Sequence, residues 1–168
     1  YKTMSFVAGA APVLSVTNGL VDDFRIETTA ADAADYGFES GTQNWRITSG
    51  TANINVMTAA APVFSGSRSL ALQFAGGSAG TQTIAVSSPP VSAGKTVSFR
   101  IFVPAGAPIG SLQAFVQQGA AGGWAWTSSW RDAASIARGA WQTLTIKVPD
   151  NAVALNALGF EIVTTASW

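Results

Sequence analysis

The stretch TVSFRIFV, Thr96 to Val103, alternates apolar and polar residues with a period of two. Such alternation is typical of a β-strand with one buried face, because successive side chains of a strand point to opposite sides. One predicted face consists of Val97, Phe99, Ile101 and Val103, and the other carries Ser98, Arg100 and Phe102. We expect the first face to lie in a hydrophobic core.

The same alternation recurs in six further stretches: TANINV (51–56), SLALQF (69–74), TQTIAV (81–86), SLQAFVQ (111–117), WQTLTIKV (141–148) and LGFEIV (158–163). A further strand is predicted at Leu20 to Ile26, within SVTNGLVDDFRIE. Turns rich in glycine, proline and serine separate most of them. Strands at such short intervals are typical of an antiparallel sandwich or barrel. Only DAASIARG (132–139) indicates a helix, of one or two turns. The sequence therefore predicts an all-β fold, an antiparallel β-sandwich of the jelly-roll type.

The composition excludes several classes of function. A chain of 168 residues with 48% hydrophobic residues is suited to one domain with a full core. Its formal net charge of zero offers no basic field to nucleic acid. The chain has no cysteine and no histidine, which excludes disulfides, thiolate or imidazole metal sites and nucleophiles activated by histidine. No apolar run is long enough to span a membrane.

Six blocks of the sequence occur in a characteristic order: YGFESGTQNW (36–45), SGSRSLALQF (65–74), SPPVSAGKTVSFRIFVP (88–104), FVQQGAAGGWAWTSSW (115–130), GAWQTLTIKVP (139–149) and LGFEIVTTASW (158–168). In combination they resemble the β-sandwich carbohydrate-binding modules attached to bacterial mannanases, cellulases and related polysaccharide-degrading enzymes. The resemblance implies a secreted, extracellular bacterial module that binds polysaccharide and is joined to a glycoside hydrolase or another module.

The N-terminal segment departs from that pattern. Modules of this kind usually continue beyond the position of Trp168 with a final strand, and NGLVDDFRI (18–26) resembles that strand. Either this segment completes the sheet, through circular permutation or exchange between chains, or it ends a preceding module. We favour the first, because an open sheet edge invites aggregation. We therefore expect residues 1–35 to supply one or two strands and residues 36–168 to form the module, as a monomer or a strand-swapped dimer.

Three of the six tryptophans lie within GGWAWTSSW, Gly122 to Trp130. Indoles are costly to expose without a use, and a flat indole can cover the apolar face of a sugar ring. We expect Trp124 and Trp126, two residues apart, to project from one face of a strand, and Trp130 to follow after a Ser-Ser turn. The alternative is that some of these rings close the core.

Polar groups on the same outer face would bind the hydroxyls of a sugar. The predicted contributors are Gln113, Gln117 and Arg100, although each alone could be ordinary surface. The remaining tryptophans, Trp45, Trp141 and Trp168, are expected to be structural. The prediction is a carbohydrate-binding face built from Trp124, Trp126, Trp130 and these three polar side chains.

The resemblance also implies a structural Ca²⁺ between the first strand and the last, away from the sugar face. Glu39 and Asp22 stand at the matching positions, and calcium prefers carboxylate and carbonyl oxygens. The alternative is a solvated acidic stretch. Catalysis has weaker support, because glycoside hydrolysis needs two carboxyl groups at a defined separation. Only Glu161, Asp132 and Asp150 lie in the strand-rich body.

The sequence thus predicts non-catalytic binding of a neutral β-linked polysaccharide, of the mannan or glucan type, which brings an attached enzyme to its substrate. The alternatives are a structural or adhesion sandwich of a bacterial surface protein, in which the tryptophans only pack, and a small lyase or hydrolase on a jelly-roll scaffold.

Overall fold

The fold is given by a computed structural model that describes residues 13–15, 20–27, 36–50 and 52–166. For residues 13–15, 20–27, 52–54 and 75–77 it describes the backbone alone. Eleven strands lie in this part of the chain and form two sheets. Their packing against each other confirms the predicted all-β sandwich.

One sheet has six strands, in the spatial order β10 (Ala140–Lys147), β7 (Thr96–Val103), β2 (Leu20–Glu27), β1 (Val13–Ser15), β5 (Ser69–Gly77) and β4 (Ala52–Ala59). The other has five, in the order β3 (Arg46–Ser49), β6 (Gly80–Ser87), β11 (Leu155–Thr164), β8 (Ile109–Gln118) and β9 (Trp126–Asp132). Neighbouring strands are antiparallel, except that the short β1 runs parallel to β5 and β7.

The predicted strands are all found, with ends that move by a few residues. Strands β1, β3 and β9 are additional, and the first two of them are too short for a clear alternation. The predicted helix at 132–139 is reduced to a single 3-10 turn, Ala133–Ser135, capped by the Asp132 carboxylate, which accepts a hydrogen bond from Ser135 N at 2.8 Å. Within the described ranges, no helix is long and apolar enough to cross a membrane.

The core lies between the inner faces of the two sheets. The four apolar side chains predicted for the inner face of β7 are fully buried: Val97, Phe99, Ile101 and Val103. Phe99 meets Phe160 of β11 edge to face, with ring centroids 4.4 Å apart, and Trp45 packs beside both rings. Trp45 is 2% exposed, in agreement with its predicted structural role.

The strand predicted at Leu20 to Ile26 lies in the six-stranded sheet beside β7. Its residue Asp22 is opposite Arg100, and Ile26 is opposite Val97. Strand β1 is a second strand from the first 35 residues and pairs with β2. The division of the chain at residue 35 into a segment and a module stays a prediction.

Arg138 connects loops at one end of the sandwich. Its guanidinium donates hydrogen bonds to the carbonyl oxygens of Ile109 at 2.7 Å, Ala133 at 3.0 Å and Ala107 at 3.4 Å. The planar fork of an arginine can reach several carbonyls at once, whereas a lysine ammonium is a point charge. Arg138 therefore holds the loop before β8 against the turn after β9.

Replacing Arg138 with lysine is expected to lower the free energy of unfolding by about 2 kcal/mol, because carbonyl acceptors lose charged donors in a half-buried site. Chemical denaturation measures this loss. The exposed Arg131 is the matched control, and its change to lysine should cost less than about 0.5 kcal/mol. Equal losses for the two variants would contradict this role of Arg138.

Candidate functional site

The outer face of the five-stranded sheet carries the aromatic and amide side chains. Strands β8 and β9 pair so that directly opposite residues share a face. Four such pairs lie on the outer face: Trp126 with Gln117, Ser128 with Phe115, Trp130 with Gln113, and Asp132 with Ser111. The alternate residues of β8, Leu112, Ala114 and Val116, are buried in the core. Gln113 and Gln117 therefore lie on the outer face, as predicted.

Trp126 is supported from below by Phe115. The two rings stack with centroids 3.9 Å apart and an angle of 15° between their planes. Phe115 points away from the core and yet is 2% exposed, while Trp126 is 43% exposed, so the indole covers the phenyl ring. A stacked pair of this kind contributes about 1 kcal/mol beyond the burial of area. The stack fixes one face of the indole and leaves the side chain accessible to solvent.

Trp130 lies four residues further along β9 and is 60% exposed. On a strand, this separation places it about 13 Å from Trp126 on the same face. The predicted Ser-Ser turn between the two is wrong, because Ser128 and Ser129 lie inside β9, opposite Phe115 and Ala114. Strand β9 therefore places Trp126 and Trp130 on one face of the sheet.

Trp124 precedes β9 and lies in the loop that joins it to β8. Its φ is 59°, in the left-handed region that bulky side chains rarely occupy, and its side chain is 54% exposed. Such a backbone conformation costs about 1–3 kcal/mol and persists where interactions of the surrounding structure offset that cost. The premise that Trp124 and Trp126 share a strand is wrong, because β9 begins at Trp126, and the place of Trp124 in the binding face stays a prediction.

The carboxamides of Gln113 and Gln117 are each held by a neighbour on or next to β11. Gln113 Nε2 donates to Glu161 Oε1 at 2.8 Å, and Asn156 Nδ2 donates to Gln117 Oε1 at 3.1 Å. These bonds orient donors and acceptors beside the indoles before any ligand arrives. The Glu161 carboxylate retains a second oxygen as an acceptor on this face.

Arg46 contributes a cation on the far side of the same face. It is the first residue of the edge strand β3, opposite Ala85, and its Nη2 donates to Ser87 Oγ at 2.9 Å. Sequence reasoning missed Arg46, Ser87 and Asn156, because their place on the same sheet as the tryptophans depends on strand order. No local pattern in the sequence reports that order.

Arg100 lies on the opposite side of the sandwich, so its predicted place beside Gln113 and Gln117 is wrong. It belongs to β7 of the six-stranded sheet, and its guanidinium carbon lies 4.7 Å from the centre of the Phe64 ring. Trp141 packs against Phe64 and Phe102 in the same cluster, with centroids 5.8 and 5.2 Å away. Alternation alone cannot assign a strand to one of two sheets.

The Glu39 carboxylate closes a turn at residues 66–68. It accepts hydrogen bonds from Ser67 N at 2.8 Å, from the Ser67 hydroxyl, and from Arg68 N at 3.3 Å. A Cβ at Gly66 would meet Glu39 Oε1, so this turn closes tightly around the carboxylate. These bonds, the Ser67 hydroxyl first, hold the pKa of the Glu39 carboxyl below its usual range.

This surrounding does not by itself fit a calcium ligand, because protein donors already use three lone pairs of the carboxylate. Within the residues described, no three side chains of histidine, cysteine, aspartate or glutamate lie together in a group that could hold a metal ion. The side chain of Asp22 lies outside the described residues. Calcium at Asp22 and Glu39 therefore stays a prediction.

Changing Glu39 to glutamine is expected to lower the melting temperature at pH 7. Since the folded state lowers the pKa of this carboxyl, its stabilisation is present above the unfolded pKa and is lost as pH falls through the folded pKa. The difference between the two proteins should therefore vanish in acid. The loss at pH 7 should stay below about 1 kcal/mol, since water screens an exposed charge. A difference that persists unchanged at low pH would contradict this role.

The same pair of proteins tests the predicted calcium ion. A bound ion would make the melting temperature of the unchanged protein fall on addition of a chelator, and Glu39→Gln would abolish that fall. Equal melting temperatures of the unchanged protein with and without free Ca²⁺ would contradict the calcium prediction. The turn closed by Glu39 would still account for the effect of the substitution.

The acidic residues weighed for catalysis are engaged separately. Asp150 forms an exposed ion pair with Lys147 at 2.8 Å, and Asp132 caps the 3-10 turn. Hydrogen bonds from the side chain and backbone of Ser135 lower the pKa of Asp132. Glu161 accepts a hydrogen bond from Gln113. The arrangement of Glu161 is therefore that of a hydrogen-bonding group on the outer face.

A β-sandwich whose outer face carries exposed indoles beside oriented amides has the architecture of a carbohydrate-binding module. The family model described as "Mannanase, galactose-binding domain-like" matches residues 36–167, and the chain belongs to this family. The comparison with curated proteins found no match.

A solved structure supports the fold. It is described by the words "Structural basis for the promiscuous specificity of the carbohydrate-binding modules from the beta-sandwich super family". It superposes with a TM-score of 0.69 and is 20% identical, over 89% of this chain and 67% of its own length. The resemblance to carbohydrate-binding modules, which are non-catalytic, is thus confirmed at the level of family and fold.

Proposed function

We propose that the protein binds a neutral β-linked polysaccharide, of the mannan or glucan type, on the outer face of its five-stranded sheet. The observation that carries this proposal is the pair of exposed indoles on β9, one of which is seated on the buried Phe115 ring. Monomeric proteins rarely leave large apolar side chains together in water without a partner. Here strand β9 places both indoles on the same face of the sheet.

The chemistry of the face matches that of a sugar chain. A pyranose ring has an apolar face of C–H groups, which an indole can cover, and a rim of hydroxyls, which amides and carboxylates can bind. Trp126 and Trp130 supply the first kind of contact, and Gln113, Gln117 and Glu161 supply the second. An indole has only two side-chain torsions, so little conformational entropy is lost when it stacks.

The charge of the face supports a neutral ligand. In the part of the chain that the structure describes, this face carries one cation, Arg46, and two anions, Glu161 and Asp132, and the chain has a formal net charge of zero. A site for an acidic polysaccharide would concentrate basic side chains. Arg46 and Glu161 instead offer a donor and an acceptor to hydroxyl groups.

The biological role that we infer is targeting. A module that binds polysaccharide raises the effective concentration of substrate near an enzyme attached to the same chain. Its setting would be extracellular, since polysaccharides of this kind lie outside the bacterial cell. In this account the module itself is non-catalytic, and its partners are the glycan and the attached hydrolase.

Removing the indole of Trp126 is expected to weaken binding at least about tenfold, which corresponds to about 1.4 kcal/mol, because an anchoring aromatic ring is lost. Trp130→Ala should also weaken it. Isothermal titration with galactomannan, glucomannan, xylan and mixed-linkage β-glucan measures the change, with circular dichroism as the check on folding.

Trp141→Phe is the matched control, because this indole lies in the aromatic cluster of the opposite sheet. It should leave the dissociation constant within about a factor of two, as expected for a site outside the interface. Failure of the unchanged protein to bind any of the four glycans would contradict the proposed function. Such a failure would favour a sandwich in which the tryptophans only pack.

A further inference from the structure

We propose that Gln118 and Gly122 are positioning residues that hold the Trp124 indole in place at the end of the glycan-binding face. This inference rests on the proposed function for its ligand. It concerns the loop from Gly119 to Ala125, which joins β8 to β9, and its contact with the loop that precedes β11. Trp124 touches the glycan in this account, and the two positioning residues do not.

The loop is closed internally by backbone hydrogen bonds. Gln118 N donates to Ala125 O at 2.9 Å across its base, and the Trp124 N–H donates to Gly119 O at 3.2 Å. Gly123, with φ of 62°, ends a short 3-10 turn at 120–122 and precedes Trp124. Two successive residues thus adopt the left-handed conformation, which only the first of them, a glycine, adopts without strain.

The loop is also fixed to the neighbouring loop from outside. Gly119 N donates to Ala154 O at 2.9 Å, and Val153 N donates to the Gln118 side-chain Oε1 at 3.0 Å. The Gln118 side chain is 9% exposed and therefore lies between the two loops. A buried carboxamide that accepts a backbone N–H holds that backbone in place, because a broken bond would leave a polar group unpaired.

Position 122 must be a glycine because its neighbours leave no room for a side chain, and not because of its backbone angles. A Cβ at this position would lie 2.7 Å from Gln118 Cβ and 2.7 Å from Val153 Cγ2, closer than real Cβ contacts allow. Its backbone packs directly on the glutamine that links the two loops. Any larger residue must therefore push the loop away from its support.

The exposure of Trp124 gives these contacts a functional meaning. A tryptophan that served packing alone would be buried, whereas this one is 54% exposed on a strained backbone that its surroundings impose. Strained conformations of this kind concentrate at binding sites. A rigid loop also lowers the conformational entropy that binding must remove, so a preordered indole binds more tightly than a mobile one.

The test is a double-mutant cycle on the full chain with the best-binding soluble glycan of the panel above. Gly122→Ala and Gln118→Met should each weaken binding about three- to tenfold when Trp124 is present. In the Trp124→Ala background they should have no further effect, since their action passes through that indole. Gly37→Ala, where the nearest atom is 3.9 Å from the added Cβ, is the control and should change nothing.

A second readout does not need a sugar. The backbone ¹⁵N order parameters of Gly123 and Trp124 should fall in both variants, while those of β8 and β9 stay unchanged. Equal weakening of binding with and without Trp124, or order parameters that do not change, would overturn the positioning role. If the unchanged protein binds no glycan, the proposed function fails instead, and the order parameters alone decide whether these residues hold the loop.

Discussion

The contact between Phe99 of β7 and Phe160 of β11 joins the two sheets at the centre of the core, with ring centroids 4.4 Å apart. Because side chains alternate along a strand, each inward ring determines the direction of its neighbours. Phe160 facing inward places Glu161 outward on the five-stranded sheet. Phe99 facing inward places Arg100 outward on the other. The packing of the core therefore decides which residues can belong to the binding face.

Pairing between strands then assembles the site from distant parts of the sequence. Strand β8 lies between β9 and β11, so the tryptophans on one side and Glu161 on the other meet around Gln113, Phe115 and Gln117. The stack of Trp126 on Phe115 connects a buried residue of the sheet with the proposed binding surface. A buried ring thus supports an exposed one.

The sequence contains enough information to predict the fold class, most of the strands and the inward faces of β7 and β8. Alternation in TVSFRIFV and SLQAFVQ reports burial directly, since period and burial have the same cause. The exposure of Trp124, Trp126 and Trp130 agrees with the expectation that this segment stands outside the core. The interpretation of Ser128 and Ser129 as a turn failed because serine is tolerated in an exposed edge strand as well as in turns.

Arg100 shows that the sequence does not tell to which of the two sheets a strand belongs. Its strand has the same alternation as β8, and nothing local distinguishes the two sheets; only the long-range order of strands does. Arg46 and Asn156 were missed for the same reason. The loop that carries Trp124 contacts residues 153 and 154 through Gln118, Gly119 and Gly122, and no short stretch of sequence predicts these contacts.

The indole N–H signals of the six tryptophans in a ¹H–¹⁵N spectrum test the central claim most directly. During titration with a soluble β-linked oligosaccharide, the account predicts that the signals of Trp126 and Trp130 shift in a saturable manner. Those of the core residue Trp45 and of Trp141 on the opposite sheet should stay in place. Shifts confined to Trp141, with Trp126 and Trp130 unaffected, would contradict it.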